Sequence, residues 1–410
     1  MRENYLGIEY PSREDEPRTA QARPRRGQGG RREATLSAAM SIHTPYPRIA
    51  DAPLAAPRHS AGHAGDDAGA AAATLPLVSV VIVNWNRLPD VLDNLAYLRK
   101  LDYPNVEIIV VDNGSADGSP ERLAQEPDIK LVRLNENTGP SRGRNAGFRV
   151  ARGKYVLLID SDAYMTRPSL RRLVERLEAE PQIGAAGCKV LNWHTRKIDQ
   201  WIYAQPYDQY RDRPFDTYAF SAAGVLIRND LLREIGGFWE RLFIYNEEVD
   251  LSIRILRAGF RIVYEPTARV FHRPATTGRA NKANYFRLQI RNWIWIYFRH
   301  YPGPLAWWKT LTYSGLYVIK GVTNKHLKAC LTGIAEGIRF RHAGAEDDAA
   351  TAEKMSLDQA RHIASLNRRL GLRLWKLAPE AVERKKAPPK PAARPHDLAM
   401  DDEMPATVGH

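Results

Sequence analysis

The sequence predicts an α/β fold, a mostly parallel sheet flanked by helices, followed by a C-terminal helical appendage. Three observations predict it. Short β-branched apolar runs alternate with amphipathic segments of helical length, which is the signature of βαβ units. Each apolar run ends in a polar cluster. The middle of the chain also differs sharply in composition from both of its tails.

Residues 1–75 are rich in Arg, Pro, Gly and Ala and poor in large apolar side chains. Such a segment cannot bury enough surface to offset its ordering entropy and reads as a disordered tail. The folded part, expected over 76–284, opens with LPLVSVVIVNWN, where residues 78–83 form a strand buried on both faces. Leu88, Val91, Leu92, Leu95 and Leu98 then recur at helical spacing within 88–100. Residues 106–111 are a second strand, IKLVRLN a third and GKYVLLIDSDA a fourth. Farther on, Asn246 reads as an N-cap, with Glu247, Glu248 and Asp250 in the first helical turn. Val249, Ile253 and Leu256 form the apolar row of that helix, and Gly259 stops it. RIVYEP and ARVFHR read as two strands, the latter ending at His272. Residues 285–343 form a basic, aromatic helical segment, and 344–410 a second tail with one amphipathic helix in SLDQARHIASLNRRLGLRLWKL.

Composition bounds the function. Of 410 residues, 44% are hydrophobic and 26% charged, which excludes a fully disordered or fibrous protein. The formal net charge of +13 points to an anionic partner. Both tails are close to neutral, so that charge resides in the middle. Two cysteines, Cys188 and Cys330, form no C-x-x-C or Cys/His cluster. Disulfide scaffolds and zinc fingers are therefore excluded, and a reducing compartment is expected. No apolar run is long enough to span a bilayer, and no apolar stretch follows the N-terminal charges, so neither a spanning helix nor a secretory signal is expected.

In parallel sheets ligands bind outside the carboxyl ends of the strands. Residues 84–86, 112–115 and 160–162 all sit at such ends. Asp160 and Asp162 are spaced i, i+2, so in extended chain both carboxylates face one side and suit Mg²⁺ or Mn²⁺. The alternative is that they simply begin a turn. Asp112 could accept from a nucleobase N–H or a ribose hydroxyl, or stand in a ligand-free loop. NENTGPSRGRNAGF brings Arg142, Arg144 and Asn145 among glycines, which suits phosphate contact. It matches neither a dinucleotide fingerprint nor a Walker A loop. Glu248 is a candidate general base, and His272 taken alone is more often structural.

Taken in order, VSVVIVNWN, IIVVDNGSADGS, NTGPSRGRNAGF, VLLIDSDA, GGFWERLF, YNEEVDLSIRILRAGF and P-x-A-x-V-x-H resemble family 2 inverting glycosyltransferases of the GT-A fold. The likeness is closest to bacterial rhamnosyltransferase-like enzymes of surface polysaccharide, and it covers roughly residues 76–300. It implies transfer of a sugar from a nucleotide-diphospho-sugar donor to the hydroxyl of a glycan or lipid-linked acceptor. It also implies roles. Asn84, Asn86, Asp112 and Asn113 would line the nucleotide pocket, with Arg144 and Asn145 near the donor. Asp160 would contact ribose, Asp162 would hold the metal, His272 would complete its shell, and Glu248 would be the catalytic base. Two departures stand out: the usual Glu-Asp pair is Glu247-Glu248, and the Asp-Glu after the GGF motif is Trp239-Glu240.

The rival class is a non-catalytic nucleotide- or nucleic-acid-binding protein. Residues 285–343 interleave Lys and Arg with Trp293, Trp295, Tyr297, Phe298, Tyr301, Trp307, Trp308, Tyr313 and Tyr317. That pattern fits base stacking, a helix at a membrane interface, or core packing. The interface reading predicts an enzyme peripheral to the inner face of the cytoplasmic membrane, on anionic lipid, with no nucleic acid partner.

Overall fold

The computed structural model describes residues 75–199, 201–274, 281–342 and 354–366. The expected N-terminal tail and most of the second tail lie outside these residues.

β1 (Val78–Asn84), β2 (Val106–Asn113) and β3 (Ile129–Leu134) pair in parallel, and β4 (Tyr155–Leu158) adds to the other side of β1. All but one residue of β1 are buried, because helices cover both sheet faces. α1 (Leu88–Leu98) buries Val91, Leu95 and Leu98. α3 (Gly139–Val150), which follows the short α2 (Ser119–Leu123), lies against β1 and β2. Its glycines permit that approach: a Cβ on Gly147 would stand 2.4 Å from Val81 Cγ1. Gly143 and Gly147 thus serve close packing.

Beyond β4 the sheet becomes mixed, as the sequence reading did not foresee. β8 (Val225–Arg228) runs antiparallel to both β4 and β6 (Ile183–Asn192). β9 (Arg261–His272) runs parallel to β6, and β5 (Ala163–Met165) and β7 (Phe215–Thr217) pair antiparallel with β9. The order is β3-β2-β1-β4-β8-β6-β9-β5, with β7 on β9. The two strands expected over 261–272 are one, because β6 supports it on both sides of an irregularity at residues 266–268. α4 (Ser169–Ala179), α5 (Tyr207–Tyr210) and α6 (Asn229–Ile235) link these strands.

α7 (Glu247–Arg257) carries the expected acids and apolar row, and Gly259 follows it at φ +86°. Asn246 stands at the N-cap position as expected, at φ +63°, but its side chain does not cap the helix: the amide donates to the Gln289 carbonyl. α8 (Lys282–His300), α9 (Gly303–Thr323) and α10 (Leu327–Arg339) pack on one another, and Ile290 and Ile294 join Trp239, Leu242 and Ile253 in one apolar cluster. α11 (Leu357–Leu366), the described part of the expected amphipathic helix, rests on α7. The mixed, mostly parallel, helix-flanked sheet with C-terminal helices is the α/β architecture the sequence predicts.

Candidate functional site

The parallel register sets Asn84 beside Asp112 at the ends of β1 and β2. Asn84 Nδ2 donates to Asp112 Oδ2 (2.8 Å) and Ser115 Oγ (3.1 Å). Asp112 Oδ1 accepts from the Ser115 N–H at 3.0 Å. Asn86, at φ +53°, accepts from the Ala116 N–H at 2.8 Å and gives its own N–H to Ser115 Oγ. These side chains knit the two loops into one rigid floor. Asn113 is buried and binds the turn at 137–139 through both ends of its amide. Asn145 likewise holds the Phe238 backbone at both of its polar atoms. Asn113 and Asn145 therefore position loops.

Asp160 follows β4, but 160–162 is a turn closed by the Ala163 N–H on the Asp160 carbonyl at 3.1 Å. The expectation of two carboxylates facing alike in extended chain is corrected accordingly. Each has its own partner. Asp160 Oδ1 meets Arg144 Nη2 at 3.0 Å, and the other arm of Arg144 meets Glu247 Oε1 at 3.0 Å. Burial alone would lower the Arg144 pKa, but Asp160, Glu247 and Glu248 around it raise it, so it stays charged.

Asp162 Oδ1 lies 3.4 Å from His272 Nε2, and Arg87 lies 3.6 Å from its other oxygen. The pairing of β5 with β9 delivers this contact. His272 Nδ1 lies 2.8 Å from Asp199 Oδ2. Burial opposes the charged imidazole, yet bonds to Asp162 and Asp199 raise its pKa to about 10. Burial also raises the Asp162 pKa, but His272 and Arg87 bring it net below its ordinary value.

Asp162 and His272 form a donor set that fits one divalent cation. Their facing atoms are 3.4 Å apart, a span that one ion with bonds of about 2.1 Å bridges. Asp199 on Nδ1 is the usual backing of a ligating histidine, and Nε2, which faces Asp162, would give up its proton to a bound cation. Among the described residues no group of three or more His, Cys, Asp or Glu could hold a metal.

A cleft of about 460 Å³ opens here, with Asp160, Asp199, Trp201, Tyr203, Glu248 and His272 in its wall. Glu248 faces it, while Glu247 is buried and paired with Arg144. Burial, then the neighbouring Glu247 charge, push the Glu248 pKa well up. Burial raises Glu247 as well, against the pull of Arg144. Asp199, Arg87 and the bridging role of Arg144 escape sequence reading. Asp199 stands alone in KIDQW, and it reaches His272 because the chain folds back on β6 through the Leu191–Ile198 bridge while β6 pairs with β9.

Residues 79–236 match the family model described as Glycosyl transferase family 2. The chain is 29% identical over 210 residues to the succinoglycan biosynthesis protein ExoO of Rhizobium meliloti, covering 47% of this chain and 60% of that one. It is 26% identical over 271 residues to the N-acetylglucosaminyl-diphospho-decaprenol L-rhamnosyltransferase of Mycobacterium tuberculosis, covering 56% and 88%. An N-acetylglucosaminyltransferase of Bradyrhizobium diazoefficiens is 26% identical, with 66% and 58% covered. The chain thus spans under two thirds of the length of two of these three relatives. Among solved structures, a Pyrobaculum calidifontis mannosyltransferase in complex with GDP-Man and Mn²⁺ overlaps at TM-score 0.44 and 21% identity, covering 73% of this chain and 81% of that one. At that score the overlap is loose, and the architecture rests on the strand order above.

Proposed function

We propose that this chain, which carries a glycosyl transferase family 2 domain over residues 79–236, is an inverting glycosyltransferase. It moves a sugar from a nucleotide-diphospho-sugar to the hydroxyl of a glycan or lipid-linked acceptor. The observation that carries the reading is the shared cleft: Glu248, Asp160 and His272 line one cavity, while Glu247 is held away by Arg144. Asp162 and His272 would hold Mg²⁺ or Mn²⁺, which when bound neutralises charge developing on the diphosphate. Asp160, oriented by Arg144, would take the ribose, above the floor made by Asn84, Asn86 and Asp112. Glu248, whose proton affinity is raised by burial beside Glu247, would accept the proton of the attacking hydroxyl. A single displacement needs no enzyme nucleophile, so the anomeric configuration inverts.

Glu248→Gln tests this. It keeps the side chain's size and removes its basicity. Turnover is expected to fall by roughly 10² to 10⁴, with calorimetric affinity for nucleoside diphosphate and Mn²⁺ nearly unchanged. Retained turnover would move the base elsewhere. Glu247→Gln is no neutral control, because it loosens Arg144 and hence Asp160; it is expected to weaken donor binding.

We further place this activity on an anionic membrane surface, at the inner face of the cytoplasmic membrane. No helix among the described residues is long and apolar enough to cross a membrane. α9 nonetheless presents Trp308, Leu311, Ile319 and Val322 to solvent, each at least 59% exposed. Their spacing draws one stripe along the helix. Residues 301–335 hold four lysines and no carboxylate, so a second copy would oppose lysine to lysine, whereas anionic lipid would complement them. Trp308→Ser with Leu311→Ser is expected to weaken sedimentation with phosphatidylglycerol vesicles and leave donor binding unchanged. Sedimentation indifferent to the pair and to salt would overturn the placement, as would a dimer that the pair dissolves.

A further inference from the structure

The residues before Glu248 are unusual. Phe243, Tyr245 and Asn246 adopt φ of +62°, +74° and +63°. Bulky L-residues rarely take such angles, and they persist only where the surroundings over-determine them. The surroundings here come from α8. Asn292 is fully buried, and its Nδ2 lies 3.0, 2.9 and 2.8 Å from the carbonyls of Leu242, Ile244 and Tyr245. Arg291 fixes the amide's orientation by donating to Asn292 Oδ1 from Nε and Nη2, at 3.0 and 2.9 Å. The same guanidinium reaches the Leu242 carbonyl at 3.3 Å and stacks 4.4 Å from the Trp295 ring. α3 closes the other side, where Ser141 Oγ donates to the Phe243 carbonyl at 3.3 Å. A Cβ on Gly139 would meet that carbonyl oxygen at 2.6 Å.

We propose that Asn292, backed by Arg291, is a positioning residue for Glu248: it clamps the strained Leu242–Asn246 turn that launches α7 and so sets where the base points. This rests on the assignment of Glu248 above and gives α8 a part in the chemistry that the division at residue 285 did not. α8 ties to α7 a second time, through Arg299 and His300 on buried Asp250 at 3.2 and 2.8 Å. The whole base-bearing helix is thus referenced to α8. The clamp touches neither the floor at 84–115 nor the Asp162–His272 pair. Its loss should therefore act mainly on turnover, and reach donor binding only to the lesser extent that Glu247, which starts α7 beside Glu248, shifts its hold on Arg144.

The experiment compares Asn292→Asp, which keeps the shape and replaces donors by an acceptor, with Asn292→Ala. Turnover is expected to fall by roughly 10²-fold, the scale of a small misplacement of a reacting group. Affinity for nucleoside diphosphate with Mn²⁺, read by calorimetry, is expected to fall far less than turnover, and by no more than Glu247→Gln lowers it. The double variant Glu248→Gln with Asn292→Asp should be no slower than Glu248→Gln alone, since both act through one group. Full turnover in either Asn292 variant, an equal loss of donor affinity, or additive losses in the double variant would overturn the proposal. Glu248→Gln that stayed active would instead sink the base assignment. If neither Asn292 variant folded, amide exchange over 242–248 in the unaltered protein would decide. Protection matching that of α8 supports the clamp, and rapid exchange refutes it.

Discussion

The parallel half of the sheet and the α8–α10 helices are both apolar, both well packed, and very differently readable. In the sheet half, each strand is a local run, and its buried faces follow from helices on both sides. Residues 78–84, 106–113 and 129–134 form strands where β-branched runs occur. In the helices, aromatics are spread around every face. Trp295, Tyr297, Tyr301 and Tyr317 are buried, and Trp293 and Tyr313 pack ring on ring. Trp307 meets Phe298 edge-on at 4.9 Å, whereas its neighbour Trp308 is 61% exposed. Composition left this aromatic segment open between surface and core; packing divides it into a core and a narrow, mostly aliphatic outer stripe. The lesson is that an aromatic pattern marks a surface only after the neighbouring helices have taken what they bury.

Three measurements would break or sharpen that contrast. The largest effect belongs to the sheet half. Arg144→Ala leaves Asp160 and buried Glu247 without their cation, and removing one member of a buried pair costs about 3–5 kcal/mol. Denaturant unfolding should show that loss. A change below about 1 kcal/mol, the range of exposed pairs, would mean that water reaches the site freely. Next, Gly333→Ala tests whether α8 and α10 form a true core. Its Cβ would lie 2.3 Å from Ile290 Cγ2 and 2.4 Å from the Arg287 carbonyl oxygen. Overpacking should cost about 1–3 kcal/mol. A silent substitution would make the helices a loose appendage.

The third measurement is a pH dependence. Glu248 has its pKa raised in the folded chain, so the native state holds that proton more tightly than the unfolded one. Stability from this group falls as pH rises from the ordinary value of about 4.3 toward the raised one, about 8. Glu248→Gln removes the term. Its melting temperature should match the parent near the bottom of that window and exceed it above the top. A gain at acidic pH instead would mean that Glu248 is stabilised as the anion.

Much of the site was legible because its residues punctuate strands. Asn84, Asp112 and Asp160 stand where apolar runs stop, and in parallel sheets those ends share one side. Glu248 was legible from a helix start crowded with acids. The side-chain duties of Asn113 and Asn145 were not, since a polar residue at a strand end or within a helix looks alike whether it faces a ligand or braces a loop.

Sequence by itself determined the strand runs of the parallel half, the helix beginning at Glu247, and which short segments carry acids, because those depend on contacts within a few residues. Only the tertiary structure decided that Asp199 backs His272 across 73 residues, that Arg144 joins Asp160 to Glu247, and that Asn292 braces the turn before Glu248. Each of these is a hydrogen bond between strangers in sequence. Its geometry is set by sheet register and helix packing, which no local pattern of residue types encodes.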